Sequence, residues 1–179
     1  MIKEVDRLNG VISNLLKFSQ PSASEFLFCD INNLLEQAAE LVRLNSENKK
    51  GRMEKKYSPS LPPIWADGGK LVQAFLNVML NAEQALKTGG SGSDSRTLIE
   101  SRFDPSASIS LAPDAEKGCI IVEISNAGPP IDPALGDRIF DPFVTSKKEG
   151  TGLGLAITHQ IVSMHQGTIS FSHRDGFTV

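Results

Sequence analysis

The run from Asp67 to about residue 87 is the strongest helical pattern in this chain, and it carries two asparagines four apart inside an apolar stretch, NVMLNAEQAL. Asn is a poor helix former, and its amide is costly to bury without partners. The i, i+4 spacing puts Asn77 and Asn81 on one face. Gln73 and Gln84 extend that polar edge, while Phe75, Leu76, Val78, Met79 and Leu80 lie around the rest. Such a helix packs its apolar flank into a core and offers its amides to something polar. Either the backbone of a neighbouring loop satisfies them, or they serve a ligand. A carboxamide oxygen is a suitable hard ligand for Mg²⁺, which keeps waters and phosphate oxygens in its other positions.

The remaining pattern fixes a mixed architecture. Residues 29–49 read as a second amphipathic helix, capped by Asp30 or Asn32, with Leu34, Leu35, Ala38, Leu41 and Val42 facing the core. Segments 96–103 and 118–125 are rich in β-branched residues and read as strands; 51–58 reads as another. PSLPPIWAD reads as a proline-rich connection ending at Asp67, a suitable N-cap, and a short helix is expected within 134–143. LGLAITHQIVSMHQ reads as a helix stopped by Gly167, followed by a final strand over 168–173. TGGSGSDS and residues 104–117 read as loops. Helices and strands mix without βαβ alternation, so the fold class is α+β, a sandwich.

Residues 2–18 form a separate helical pattern. Val5, Leu8, Ile12 and Leu15 repeat at 3-4-3 spacing, an a/d seam that one helix cannot bury alone. Residues 1–20 either fold back on their own domain or, the favoured reading, belong to a dimeric helical bundle, with 21–26 as linker and 27–179 as the main domain, its last strand or strands truncated. The net charge of −3 gives no sign of nucleic acid as a primary partner. Cys29 and Cys119 lie far apart without C-x-x-C spacing, which reads as a reducing cytoplasm, a single disulfide being the alternative. No apolar run approaches the roughly 18 residues that cross a membrane; an anchor elsewhere in a longer protein is compatible with this.

Two loops carry further chemistry. In EGTGLGLAI, Gly150, Gly152 and Gly154 run straight into an apolar helix, whose N-terminal N–H groups suit phosphate; Lys147 and Lys148 stand just upstream. The spacing fits neither a dinucleotide fingerprint, because position 155 is Leu155, nor a Walker loop. In EISNAGPPI a strand ends and presents Asn126 before Gly128. An Asn there can accept from an adenine amino group and donate to the neighbouring ring nitrogen. Taken singly, each motif also fits a plain turn.

Their order is more specific. N-x3-N-A, then strand-N-A-G-P, then F-D-P-F, then G-T-G-L-G-L resembles the ATP-binding domain of sensor histidine kinases, in the wider family of gyrase, heat-shock protein 90 and mismatch-repair ATPases. The resemblance spans about residues 27–179. EVDRLNGVISNLLKFSQP resembles the second helix of the kinase dimerisation domain. YSPSLPPIWAD, NAEQAL and GFTV resemble nitrogen-regulation sensor kinases in particular.

The resemblance implies a two-layer sandwich: a mixed, mainly antiparallel sheet with helices on one face, the Bergerat-type fold, binding ATP and Mg²⁺. It implies Asn81 as the Mg²⁺ ligand and Asn77 as its companion near the phosphates. Asn126 takes the place of the usual adenine-reading Asp, and Gly128 allows close approach of the base. Phe140 and Phe143 would anchor a lid over roughly 132–150, from which Lys147 or Lys148 reaches the γ-phosphate. Gln84, Ile131, Gly150, Thr151, Gly152, Leu153, Gly154 and Leu155 complete the implied nucleotide site. Implied partners are a second copy through the N-terminal helix, a response-regulator receiver domain and a PII-type signalling protein.

Two departures from the family pattern matter. The usual Asp-x-Gly-x-Gly reads Asn126-Ala127-Gly128-Pro129-Pro130 here. Asn keeps an acceptor but removes a charge, and Pro130 deletes an N–H, so weak to moderate affinity is expected. None of His159, His165 and His173 has a phosphoacceptor context; the acceptor is expected upstream, and His165 reads as a helix C-terminal residue favoured by the dipole. ATP-hydrolysing relatives place a Glu base where Asn77 stands, and an amide cannot take a proton at neutral pH. Phosphoryl transfer is thus favoured over hydrolysis, with a non-catalytic nucleotide sensor as a third reading.

Overall fold

The computed structural model describes residues 24–45, 52–88, 96–107, 117–132, 134–147, 150–174 and 177–178. The N-terminal helical pattern over 2–18 and Lys148 lie outside the described residues.

The three helices are α1 (Ile31–Asn45), α2 (Gly68–Thr88) and α3 (Gly154–Met164). Asp30 caps α1, accepting from the backbone N–H of Asn32 at 2.8 Å; Asn32 instead donates its amide to the Ser58 carbonyl at 2.8 Å. Asp67 caps α2 through the Lys70 N–H at 3.1 Å, as its place before the apolar run predicts. Helix α1 buries Ile31, Leu34, Leu35, Ala38, Ala39 and Val42. Leu41, expected in that set, is exposed; Ala39 completes the stripe instead.

The strands are β1 (Leu27–Cys29), β2 (Arg52–Tyr57), β3 (Ile64–Ala66), β4 (Arg96–Asp104), β5 (Cys119–Asn126), β6 (His173–Arg174) and β7 (Phe177–Thr178). Five of them form a sheet in the order β2-β4-β5-β7-β6, in which β2 runs parallel to β4 and the other pairs are antiparallel. This is the mixed, mainly antiparallel sheet expected. Strand β4 turns Thr97, Ile99 and Ser101 inward, one face of a period-2 alternation. Ile99 shares one core with Met79 of α2, Leu35 of α1, Leu153 just before α3, and Ile157 and Ile161 within α3. Sheet and helices thus make two layers.

Three local expectations are corrected. Strands β1 and β3 pair antiparallel, Phe28 opposite Trp65, where the sequence reads only a helix start and a proline-rich connection. The expected strand over 168–173 shrinks to His173–Arg174. Among the described residues β7 meets β5 at Asn126↔Thr178, and Ile169 to Phe171 line a cleft instead of extending the strand. The short helix expected within 134–143 is present as a 3-10 helix, Gly136–Phe140. At the end of α3 it is Gln166, at φ 58°, that takes the left-handed position; Gly167 follows and donates to the Val162 carbonyl at 2.9 Å.

His165 stands at the C-terminal end of α3, as expected: its Nδ1 lies 2.8 Å from the Ile161 carbonyl, and the Asp67 N–H donates to its Nε2 at 3.0 Å. The ring, tilted against Phe26 at 5.2 Å, pins the end of α3 to the start of α2.

Candidate active site

A cleft of about 1030 Å³ opens between α2, the end of β5, the 132–147 loop and the start of α3. It is large for a single small-molecule pocket and suits a nucleotide-sized ligand. Asn77, Asn81, Gln84, Asn126, Ile131, Phe140, Lys147, Gly150, Thr151, Gly152, Gly154 and Leu155 all line it. One wall is the amide edge of α2; the glycine loop faces it across the cleft. The described helices include none long and apolar enough to cross a membrane.

Each amide of α2 has its own task. The Asn77 Nδ2 donates to the Gly154 carbonyl at 3.1 Å, so this residue ties the glycine loop to α2. Asn81 and Gln84, one helical turn apart, turn their side-chain oxygens onto a single group. The Lys147 ammonium donates to Asn81 Oδ1 at 2.8 Å and to Gln84 Oε1 at 2.6 Å. Desolvation in this position lowers the Lys147 pKa.

The loop that carries Lys147 is held by close backbone packing. Thr145 Oγ1 accepts the Lys147 N–H at 3.1 Å, and the Gly150 N–H donates to the Lys147 carbonyl at 3.2 Å. A Cβ on Gly150 would fall 2.5 Å from Thr145 Oγ1. Gly152 sits at φ +66°, and a Cβ there would lie 2.5 Å from the Phe143 carbonyl carbon. The Phe143 N–H donates to the Gly152 carbonyl at 2.9 Å. F-D-P-F and the glycine loop are therefore zipped together through backbone. The Phe143 ring, expected as an anchor, is 62% exposed and off the cleft.

Helix α3 begins here with no side-chain cap on its first turn. Its N-terminal N–H groups and dipole face the glycine loop, an arrangement suited to an anion. Leu153 is fully buried in the core rather than in the cleft wall, and Gly128 packs against Ala85 and the Asn126 amide rather than lining the cleft. At the far end, Asn126 is buried and its Nδ2 has no hydrogen-bond partner. Phe140 stacks at a tilt on His159, centroids 5.6 Å apart. Sequence reasoning misses Thr145, Leu135 and Phe171: none belongs to a motif, and Phe171 falls in what reads as a strand.

The chain belongs to the histidine kinase-, DNA gyrase B- and HSP90-like ATPase family, whose model matches residues 66–179. It is 36% identical over 176 residues to the sensor histidine kinase ZraS of Escherichia coli K12, an alignment covering 98% of this chain and 34% of that protein. It is 31% identical over 168 residues to the sensory histidine kinase/phosphatase NtrB of Rhizobium meliloti, covering 93% of this chain and 43% of that one. The catalytic domain of histidine kinase ThkA, solved nucleotide-free, superposes with a TM-score of 0.67 at 26% identity, covering 86% of this chain and 91% of that one. The chain spans about a third of the length of ZraS. What aligns is the ATP-binding catalytic domain of the sensor histidine kinase type.

Proposed function

We propose that this domain binds ATP with Mg²⁺ and passes the γ-phosphoryl group to a histidine on a dimerisation helix, for relay to a receiver-domain aspartate. The observation that carries the reading is the convergence in one cleft of a cation-binding amide pair, a lysine and an uncapped helix N-terminus, with a buried unpartnered amide at the other end.

The adenine lies toward Asn126, Ile131 and Phe140; the phosphates lie toward the glycine loop and α2. Asn126 offers one acceptor and one donor to the base edge, and its orphaned Nδ2 supports a ligand partner there. Asn81 and Gln84 already hold a cation, the Lys147 ammonium, so the donor set fits a metal ion. Asn81 is the residue that would hold Mg²⁺, which supplies charge neutralisation on the phosphate oxygens. The N–H groups of the glycine loop and α3 bind phosphate oxygens, and Asn77 keeps that loop in place. In the transfer, the acceptor imidazole nitrogen forms the N–P bond, the bond from Pγ to the bridging oxygen breaks, ADP leaves and the imidazole proton goes to solvent. The domain contributes positioning and charge, with no side-chain nucleophile.

Hydrolysis is disfavoured because Asn77 is an amide already committed to the Gly154 carbonyl. The uncharged Asn126 and the stiff Pro130 beside it support weak to moderate nucleotide affinity. In this role the partners are a second copy through residues 1–20 and a receiver domain. The test is transfer in trans. Incubation with γ-labelled ATP and a separate histidine-bearing dimerisation domain should place acid-labile label on that acceptor and none on this chain. Label on this chain alone, or release of inorganic phosphate without labelled acceptor, would overturn the reading.

A further inference from the structure

Asn81 and Gln84 are three residues apart on α2, so their side chains leave the same face of the helix. Their oxygens meet at one point, 2.8 Å and 2.6 Å from the same Lys147 nitrogen. Two converging hard oxygens on a rigid helix are a cation seat. Both are neutral, and among the described residues lining the cleft the sole acid is Asp132, on the opposite loop. Mg²⁺ dehydrates reluctantly and binds through carboxylates or phosphates. A seat of two amide oxygens holds it poorly until a triphosphate brings the missing negative charge. A monovalent ammonium suits the seat in the meantime. The turn built by Thr145 and Gly150 presents Lys147 in position to supply one.

We propose that Asn81 and Gln84 together form a two-oxygen cation seat, that Lys147 fills it in the nucleotide-free domain, and that Mg²⁺ arriving with the nucleotide displaces the lysine. Gln84 is then a second ligand residue, binding the ion directly or through one of its waters, and Lys147 is the ion's competitor before it is the phosphate's partner. A dication and an ammonium cannot share two oxygens, because at this range their repulsion is strong. Entry of the metal therefore releases Lys147 toward the newly bound phosphates. The exchange couples metal loading to the position of the loop. It also makes the bare seat unattractive to free Mg²⁺.

This inference rests on the nucleotide reading above, and the experiment separates the two. Gln84 is exposed on α2, so Gln84→Met removes the oxygen with similar side-chain shape and little effect on folding, checked by circular dichroism. One arm uses no nucleotide: lysine acylation followed by mass spectrometry, with exposed Lys87 as internal reference. Lys147 should react several-fold more slowly than Lys87 in the native protein, and that protection should shrink in Gln84→Met. The second arm titrates the non-hydrolysable analogue AMP-PNP with Mg²⁺ and with EDTA. Gln84→Met should cut the enhancement by Mg²⁺, read as the ratio of the affinities in Mg²⁺ and in EDTA, about tenfold. AMP-PNP binding with an unaltered Mg²⁺ enhancement, or a Lys147 as reactive as Lys87 in the native protein, overturns the exchange alone. No AMP-PNP binding in the native protein overturns the nucleotide reading and the exchange with it.

Discussion

The two ends of the cleft are built on opposite terms. At the end of the cleft proposed for the phosphates, three amides of α2 are occupied from within the chain: Asn77 by the Gly154 carbonyl, Asn81 and Gln84 by the Lys147 ammonium. At the base end Asn126 is buried with its Nδ2 unpartnered. A ligand at the first end must exchange with contacts already made. A ligand at the second supplies a partner to a group that lacks one. Without a metal, net gain at an occupied site is small, whereas satisfying an orphaned donor recovers a desolvation cost of about 1–3 kcal/mol. On the proposed reading, the phosphate end therefore responds to the metal, and the base end does not.

That contrast can be broken from either side. The largest effect is expected at the metal-dependent end: Asn81→Ala should weaken AMP-PNP binding by about 100-fold in Mg²⁺, consistent with the cost of disturbing a metal's ligand set, and hardly at all in EDTA. Equal losses in both buffers would erase the distinction. Gly152→Ala comes next. Its Cβ would strike the Phe143 backbone at 2.5 Å and sit at φ +66°, so the zip between F-D-P-F and the glycine loop must shift. A cost of roughly 2 kcal/mol, or about 30-fold in affinity, is expected, with increased protease sensitivity around residue 143.

Asn126→Ala should cost about tenfold, one hydrogen bond's worth, and by the same factor with or without Mg²⁺. A metal-dependent effect there would show that the ends are not independent. The smallest change leaves the cleft alone. Gln166 holds a left-handed backbone at the end of α3, so Gln166→Gly should raise stability by about 0.5–1 kcal/mol in chemical denaturation without moving nucleotide affinity. A shift in affinity would mean that this helix end communicates with the site.

The sequence made some of this legible and not the rest, for physical reasons. Helices α2 and α3 and strands β4 and β5 are long enough for their periodicity to show. Strands β1, β3, β6 and β7 have two or three residues each, too few for any alternation, and Pro62 and Pro63 hide β3 further. In the site, the i, i+4 asparagines and the glycines before α3 announce themselves by spacing alone. Motif membership does not reveal which way a side chain turns: Leu153 goes to the core and Phe143 to solvent, though both sit inside recognisable runs. Nor could it show that Lys147 reaches back 66 residues to Asn81. That contact accompanies the bonds that Thr145 and Gly150 make to the Lys147 backbone.

The proposed nucleotide site, with a phosphate end that depends on a metal, stands or falls on isothermal calorimetry with AMP-PNP, run in Mg²⁺ and again in EDTA. Saturable binding in the micromolar to millimolar range is expected with Mg²⁺, and clearly weaker binding in EDTA. No heat at millimolar nucleotide in either buffer would contradict the proposal.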